Sequence, residues 1–222
     1  FHAAAVAPPS DPSLRVFEKQ SPTSAEIASR EQHALAMTAG SAILLAGDSG
    51  AGKSTLLAAL LQNGWHILSD ELAIVGLDED GKPQVFPTHP EILLWNDAIE
   101  KLNLHAKTSR VSKTREVYLA SNHFIASPLP LRAIYWLDVH NKKQIETEPI
   151  RGKKFFQAIN TLLYNSHIAD ALLDRASHFR LASALTQTVS LRRLKRPQGQ
   201  WSVEELAEQL QKSQTSNSKF VV

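Results

Sequence analysis

Short apolar runs, broken by glycine, proline and acidic clusters, recur along the chain, and their length and period sort them into strands and helices. Residues 41–46 (Ser-Ala-Ile-Leu-Leu-Ala) form a continuous apolar run suited to a buried parallel strand. Residues 56–61 (Leu-Leu-Ala-Ala-Leu-Leu) read as a helix closed by Asn63-Gly64. Residues 65–71 read as an apolar strand ending in two acids, Asp70 and Glu71. Strand 72–76, the turn Asp78-Glu79-Asp80-Gly81 and strand 84–86 make a hairpin. Helical spacing is read over 93–104, with Leu94, Ala98 and Leu102 on one face.

Further on, 117–119 and 131–137 read as strands, and Asn141-Lys142-Lys143 turns the second into a solvated partner at 144–148. Residues 152–166 and 169–185 are helical; the stripe Phe155, Phe156, Ile159, Leu162 and Leu163 predicts core rather than a cofactor site. A strand at 188–194 and a helix at 202–210 follow, the latter with Ser202 and Glu205 in capping-box register. Near the start, 14–18 and 33–37 alternate as strands, and 22–26 reads as a turn or helix start. The expected organisation is a flexible extension over 1–12, one domain over 13–211 and a polar tail over 212–222. The expected fold class is α/β, a mixed central sheet flanked by helices.

Between strand 41–46 and helix 56–61 stands Gly47-Asp48-Ser49-Gly50-Ala51-Gly52-Lys53-Ser54, followed by Thr55. It fits the P-loop pattern G-x-x-x-x-G-K-[ST]. Glycines let the backbone curl so that its N–H groups face a phosphate, and the helix that follows adds the positive end of its dipole. Lys53 then reaches the β/γ oxygens of a nucleoside triphosphate, and the Ser54 hydroxyl ligates Mg²⁺. The bland alternative, an accidental glycine-rich turn, does not account for the order strand, loop, helix. Asp70-Glu71 at the end of the next strand is the Walker B arrangement, a carboxylate beside the metal.

Composition narrows the setting. The chain has 222 residues, 43 % of them hydrophobic, enough for one full core. Twenty-four basic and 22 acidic residues nearly cancel, so no sequence-independent attraction to nucleic acid follows. Arg192, Arg193, Lys195 and Arg196 read as a solvated strand end. Without cysteine there is no disulfide, thiolate zinc site or thiol nucleophile, and a cytoplasmic setting is expected. No apolar run approaches the length of about 18 residues that spans a bilayer, so no membrane partner is expected either. Oligomeric state stays open.

With loop and acid pair placed, the chain resembles the catalytic domain of the HPr kinase/phosphorylase family, a P-loop kinase of the HPr kinase and phosphoenolpyruvate carboxykinase-like type. In that family a G-x-S-G-x-G-K-S loop is followed, after one helix, by a strand ending in adjacent acids. Here Asp70-Glu71 stands seventeen residues after Lys53. The family also has a histidine opening the strand before the P-loop strand, and His33, fourteen residues before Gly47, is read as its counterpart. The second acid is Glu where the family has Asp, and the family's Leu-Glu-Ile-Arg-Gly-like stretch is absent. The shorter HPr-kinase-like group associated with lasso peptide biosynthesis is the better match. Pro128 to Leu137 looks like that group's central strand and Val189 to Leu194 like its closing segment. That resemblance implies phosphorylation of the C-terminal serine of a precursor peptide.

The expected reaction is therefore phosphoryl transfer from ATP·Mg²⁺ to a serine hydroxyl. P-loop amides and Lys53 hold the phosphates, Asp70 acts as base and metal contact, and Glu71 supports the metal, although sequence does not separate the two acids. His33 is a candidate to stabilise charge at the γ-phosphate, against the alternative of a core histidine. Lys113 and Arg115 are candidates for phosphate or substrate-carboxylate contacts, against a solvated basic loop. His89 is a candidate for lining the peptide site, against a simple turn histidine. Rival readings are a kinase for another protein or a small hydroxylated metabolite, a regulatory P-loop ATPase, and a non-enzymatic nucleotide sensor. An ABC-type Leu-Ser-Gly-Gly-Gln stretch and a GTPase Asn-Lys-x-Asp base reader are both missing.

Overall fold

The computed structural model describes residues 3–8, 40–104, 108–110, 114–162 and 175–217. In chain order its elements are β1 (Ala3–Ala7), β2 (Ala42–Ala46), α1 (Lys53–Gln62), β3 (His66–Ser69), β4 (Ile74–Leu77), β5 (Pro83–Phe86), β6 (Glu91–Trp95) and α2 (Asn96–Lys101). They continue as β7 (Thr108–Arg110), β8 (Arg115–Leu119), β9 (Leu129–His140), β10 (Glu146–Ile150), α3 (Lys153–Leu162), α4 (Arg175–Thr188), β11 (Ser190–Pro197) and α5 (Val203–Asn217).

The main sheet runs β10-β11-β9-β2-β1-β3, with the β4–β5 hairpin joined to the start of β9. Strands β2, β9 and β11 are mutually parallel. β1 lies antiparallel between β2 and β3, so β2 and β3 also point the same way. A second, antiparallel sheet has the order β6-β8-β7. The architecture is the expected α/β class, a mixed sheet covered by helices on both faces.

Period-two alternation decides which side chain meets which layer. Ala4, Val6, Ile43 and Leu45 face a core shared with α1 and α5. Ala3, Ala5, Ala7, Ala42, Leu44 and Ala46 face the other core, built with α3 and α4. Strands buried on both faces read as continuous apolar runs, which is why 41–46 is legible as a strand.

Several expectations are corrected. Residues 3–7, expected in a loose extension, form a fully buried strand inside the sheet. Their five small residues bury little area each, but β1 hydrogen-bonds to a neighbour on both sides. The expected helix 93–104 is corrected at its start, where 93–95 belong to strand Glu91–Trp95, and the helix occupies only Asn96–Lys101. Ile92 and Leu94 are buried on the same side of β6, and its pairing to β8 overrides the helical spacing. The expected β9–β10 hairpin is not formed; β11 inserts between them, parallel to β9 and antiparallel to β10. The capping box does not close, since the Ser202 hydroxyl has no hydrogen-bond partner. The expected polar tail is helical as far as Asn217. Expected strands 14–18 and 33–37, the turn at 22–26, Leu163 and the stretches 163–166 and 169–174 lie outside the described residues.

Candidate active site

The site forms where parallel strands end, the usual ligand position in open α/β sheets. Gly47 follows β2 directly, and its φ of 141° lies outside the ordinary range of other residues. A Cβ at Gly47 would sit 2.5 Å from the Leu137 carbonyl oxygen, so β9 leaves room for hydrogen alone. The loop turns through an Ala51 N–H to Asp48 carbonyl bond of 3.1 Å. It enters α1 at Gly52, whose φ is 101°. No side chain caps α1 and no acid occupies its first turn, so the first N–H groups of the helix are left for an anion.

Lys53 is buried, and its Nζ donates to the carbonyls of Gly47 (2.8 Å) and Asp48 (3.0 Å). Burial pulls its pKa below the usual lysine value, while Asp70, Asp48 and Glu71 act in the opposite sense. The ammonium is therefore held at the rim of the loop by oxygen dipoles, ready to exchange them for phosphate oxygens.

Asp70, directly after β3, is 1 % exposed. Its Oδ1 accepts from the Ser54 hydroxyl at 3.0 Å, and its Oδ2 accepts from the Leu93 N–H at 3.2 Å. Burial pushes its pKa up from 3.8 to about 6, against the pull of those hydrogen bonds. Glu71 has a φ of 62°, and the Leu72 N–H donates to the Asp70 carbonyl at 2.7 Å, which makes a tight γ-turn centred on Glu71. The two acids are thereby split. Asp70 is locked inward beside Ser54, whereas Glu71 is exposed and lines a cleft with Ser49, Lys53, Ser54, Trp95 and Arg115.

Arg115 and Trp95 are direct cross-strand neighbours on β8 and β6, and the guanidinium lies 4.1 Å from the indole centroid. Of the residues singled out from sequence, 47–55, Asp70, Glu71 and Arg115 converge here. His89 is exposed in the loop between β5 and β6 and does not line the cleft. His33 and Lys113 lie outside the described residues.

Sequence reasoning missed Leu93, Trp95 and Arg196. Arg196, expected at a solvated strand end, instead reaches from β11 to the P-loop. Its Nε donates to the Ala51 carbonyl at 3.0 Å and an Nη donates to the Gly50 carbonyl at 3.4 Å. Nothing local marks it, because its partners lie about 145 residues away.

The Ser54 hydroxyl and the Asp70 carboxylate are hard oxygen donors, close together and partly desolvated, and they suit Mg²⁺ bound alongside a nucleotide phosphate. Among the described residues no cluster of three or more His, Asp or Glu forms a separate metal cage. No helix among the described residues is long and apolar enough to cross a membrane.

Fold and loop together define the class, an α/β protein with a P-loop at the C-terminal ends of its parallel strands. No protein-family model matches the chain, and no curated protein matches it. Among solved structures it is similar to the HPr(Ser) kinase/phosphatase from Coxiella burnetii, with a TM-score of 0.40 and 11% identity, covering 81% of this chain and 91% of that one. Function is therefore read from the residues of the site.

Proposed function

We propose that this protein is an ATP-dependent kinase whose acceptor is a serine hydroxyl of a peptide, the C-terminal serine of a lasso-type precursor being the first candidate. The observation that carries the reading is the Ser54–Asp70 hydrogen bond, set beside a P-loop lysine and a second acid open to the cleft. A nucleotide sensor has no need of that second, outward acid, whereas an ATPase would use it to position water, so the acceptor experiment decides between transfer and hydrolysis.

In this reading the P-loop N–H groups and Lys53 hold the β- and γ-phosphates, and Ser54 and Asp70 hold Mg²⁺. The metal, when bound, neutralises charge on the phosphate oxygens. The acceptor oxygen forms its bond to the γ-phosphorus as the bond to the β,γ-bridging oxygen breaks, and ADP leaves with that electron pair. The acceptor proton passes to Glu71. Asp70 is buried behind Ser54 whereas Glu71 lines the cleft, so in this reading Glu71 takes the role of base. Arg115, over the Trp95 ring and lining the same cleft, is in this reading the cation that meets an acceptor carboxylate.

The test is intact mass of peptides ending in serine, alanine or amidated serine after incubation with ATP and Mg²⁺. One added phosphate on the free C-terminal serine alone supports the reading. Phosphate on none of them, with ATP consumed regardless of acceptor, replaces it with an ATPase.

A further inference from the structure

Two clefts meet at the P-loop. The one that carries Glu71 and Arg115 encloses about 130 Å³. The other, about 190 Å³, opens between the loop and the turn joining β11 to α5, and shares Gly50, Gly52, Thr55 and Trp95 with the first. A triphosphate bound in the loop has its γ-end at Lys53 and the acids. Its other end must leave on the far side, into the second cleft.

That cleft is equipped for a flat heterocycle. Trp201 lines it and keeps 38 % of its surface exposed although it begins a buried segment. Its ring is already held in place: Nε1–H donates to the Glu204 carboxylate at 2.8 Å, and Lys101 Nζ lies 4.8 Å from the ring centroid. A fixed indole loses little freedom when a base stacks on it. Beside it Ser202 is 8 % exposed and its hydroxyl, buried, has no hydrogen-bond partner. A buried polar atom without a partner is a liability unless something supplies one. Gln200, also in the lining, offers a donor and an acceptor side by side. Arg196 ties this wall to the P-loop through the Ala51 and Gly50 carbonyls, which fixes the cleft relative to the phosphates.

We propose that this cleft receives the base and ribose of the nucleotide, with Trp201 as the stacking surface and Ser202 and Gln200 as the polar readers. The inference rests on the nucleotide reading of the P-loop. The experiment separates the two by measuring calorimetric affinities for ATP and for inorganic tripolyphosphate, both with Mg²⁺.

Trp201→Ala is expected to weaken ATP about tenfold, the order of one lost base–aromatic stack, and to leave tripolyphosphate unchanged. Trp201→Phe should recover most of the loss. Ser202→Ala, which removes one hydroxyl and disturbs no hydrogen bond, should weaken ATP several-fold with tripolyphosphate again unchanged. It serves where Trp201→Ala fails to fold. Lys53→Ala should weaken both ligands. If tripolyphosphate binds and depends on Lys53, yet the Trp201 and Ser202 variants bind ATP normally, the cleft is not the nucleoside site and the P-loop stands. If tripolyphosphate does not bind, or binds regardless of Lys53, the nucleotide reading itself fails.

Discussion

Asp70 accepts a 3.0 Å hydrogen bond from Ser54, sixteen positions earlier, and so couples the start of α1 to the end of β3. This contact places one carboxylate against the P-loop hydroxyl and turns the next one outward. In the proposed mechanism the division of labour between the two adjacent acids, undecided in the sequence, rests on which of them is buried.

The first prediction separates those acids. Glu71→Gln should keep Mg²⁺-dependent ATP affinity within about threefold while turnover falls by about 10² or more, the usual worth of a positioned base. Asp70→Asn should instead lose the Mg²⁺ enhancement of ATP binding. Titrating ATP with and without Mg²⁺, alongside single-turnover transfer, reads both. An active Glu71→Gln would return the base to Asp70.

Asp70 also sets a pH dependence in the metal-free protein. Its pKa is about 6 folded against 3.8 ordinarily, so between those values the folded state holds more of the proton than the unfolded chain does. Its contribution to stability is therefore fully present at low pH and is lost as pH rises from about 4 to about 6. The loss amounts to about 3 kcal/mol, since a pKa difference of one is worth about 1.4 kcal/mol. Urea unfolding in a chelator at pH 4 to 7 should show a stability difference between wild type and Asp70→Asn that changes in favour of the variant as pH rises. A pH-independent difference would mean that Asp70 is not desolvated as described.

Glu71 stores backbone strain. At φ 62° a residue with a Cβ is uncommon, and such conformations cost about 1–3 kcal/mol. Glu71→Gly should raise stability by about 1 kcal/mol and abolish transfer, whereas Glu71→Ala should abolish transfer without the gain. A shift of thermal midpoint in Glu71→Gly alone is the diagnostic result, and equal midpoints would remove the strain argument.

Gly47 tests the seat of the loop. With the Leu137 carbonyl 2.5 Å from where a Cβ would be, Gly47→Ala must push the P-loop off β9. Stability should fall by about 1–3 kcal/mol, as overpacking does, and ATP affinity should fall with it. A variant with native affinity and stability would show that the loop does not need this close approach.

The P-loop is legible in the sequence because its geometry is local: glycines where φ is positive, then a lysine and a hydroxyl opening a helix. The α1 and β3 runs are legible for the same reason, since period and stop signals lie within a few residues. What escapes is non-local or degenerate. Leu94, Ala98 and Leu102 satisfy a helical period, but Ile92 and Leu94 also satisfy a strand period, and only the partner β8 decides between them. The separation of β9 from β10 depends on β11, some forty residues later in the chain. Arg196 meets its carbonyl partners only through the folded sheet. Ala3–Ala7 carries too little side-chain volume to stand out as a strand, although the sheet buries it on both faces.

The burial of β1 adds a second histidine to test beside His33. His33 is the candidate from sequence because the family resemblance implies a histidine opening a strand ahead of the P-loop strand, and His33 opens the run His33-Ala34-Leu35-Ala36-Met37. A second histidine, His2, stands in sequence directly before Ala3–Ala7, and residues 3–6 of that strand pair with β2. Within it Ala3 pairs with Ala46, just before the P-loop, and the Ala3 N–H donates to the Glu71 carbonyl at 3.1 Å. If charge at the γ-phosphate is met by the histidine next in sequence to the strand beside β2, that histidine is His2 rather than His33. His2→Ala should then slow transfer at least about tenfold at saturating ATP with an unchanged thermal midpoint, the lower end of what one positioned charge contributes, and His33→Ala should leave the rate within about twofold. The opposite ranking would restore His33, and normal rates in both variants would leave phosphate charge to Lys53 and the metal alone.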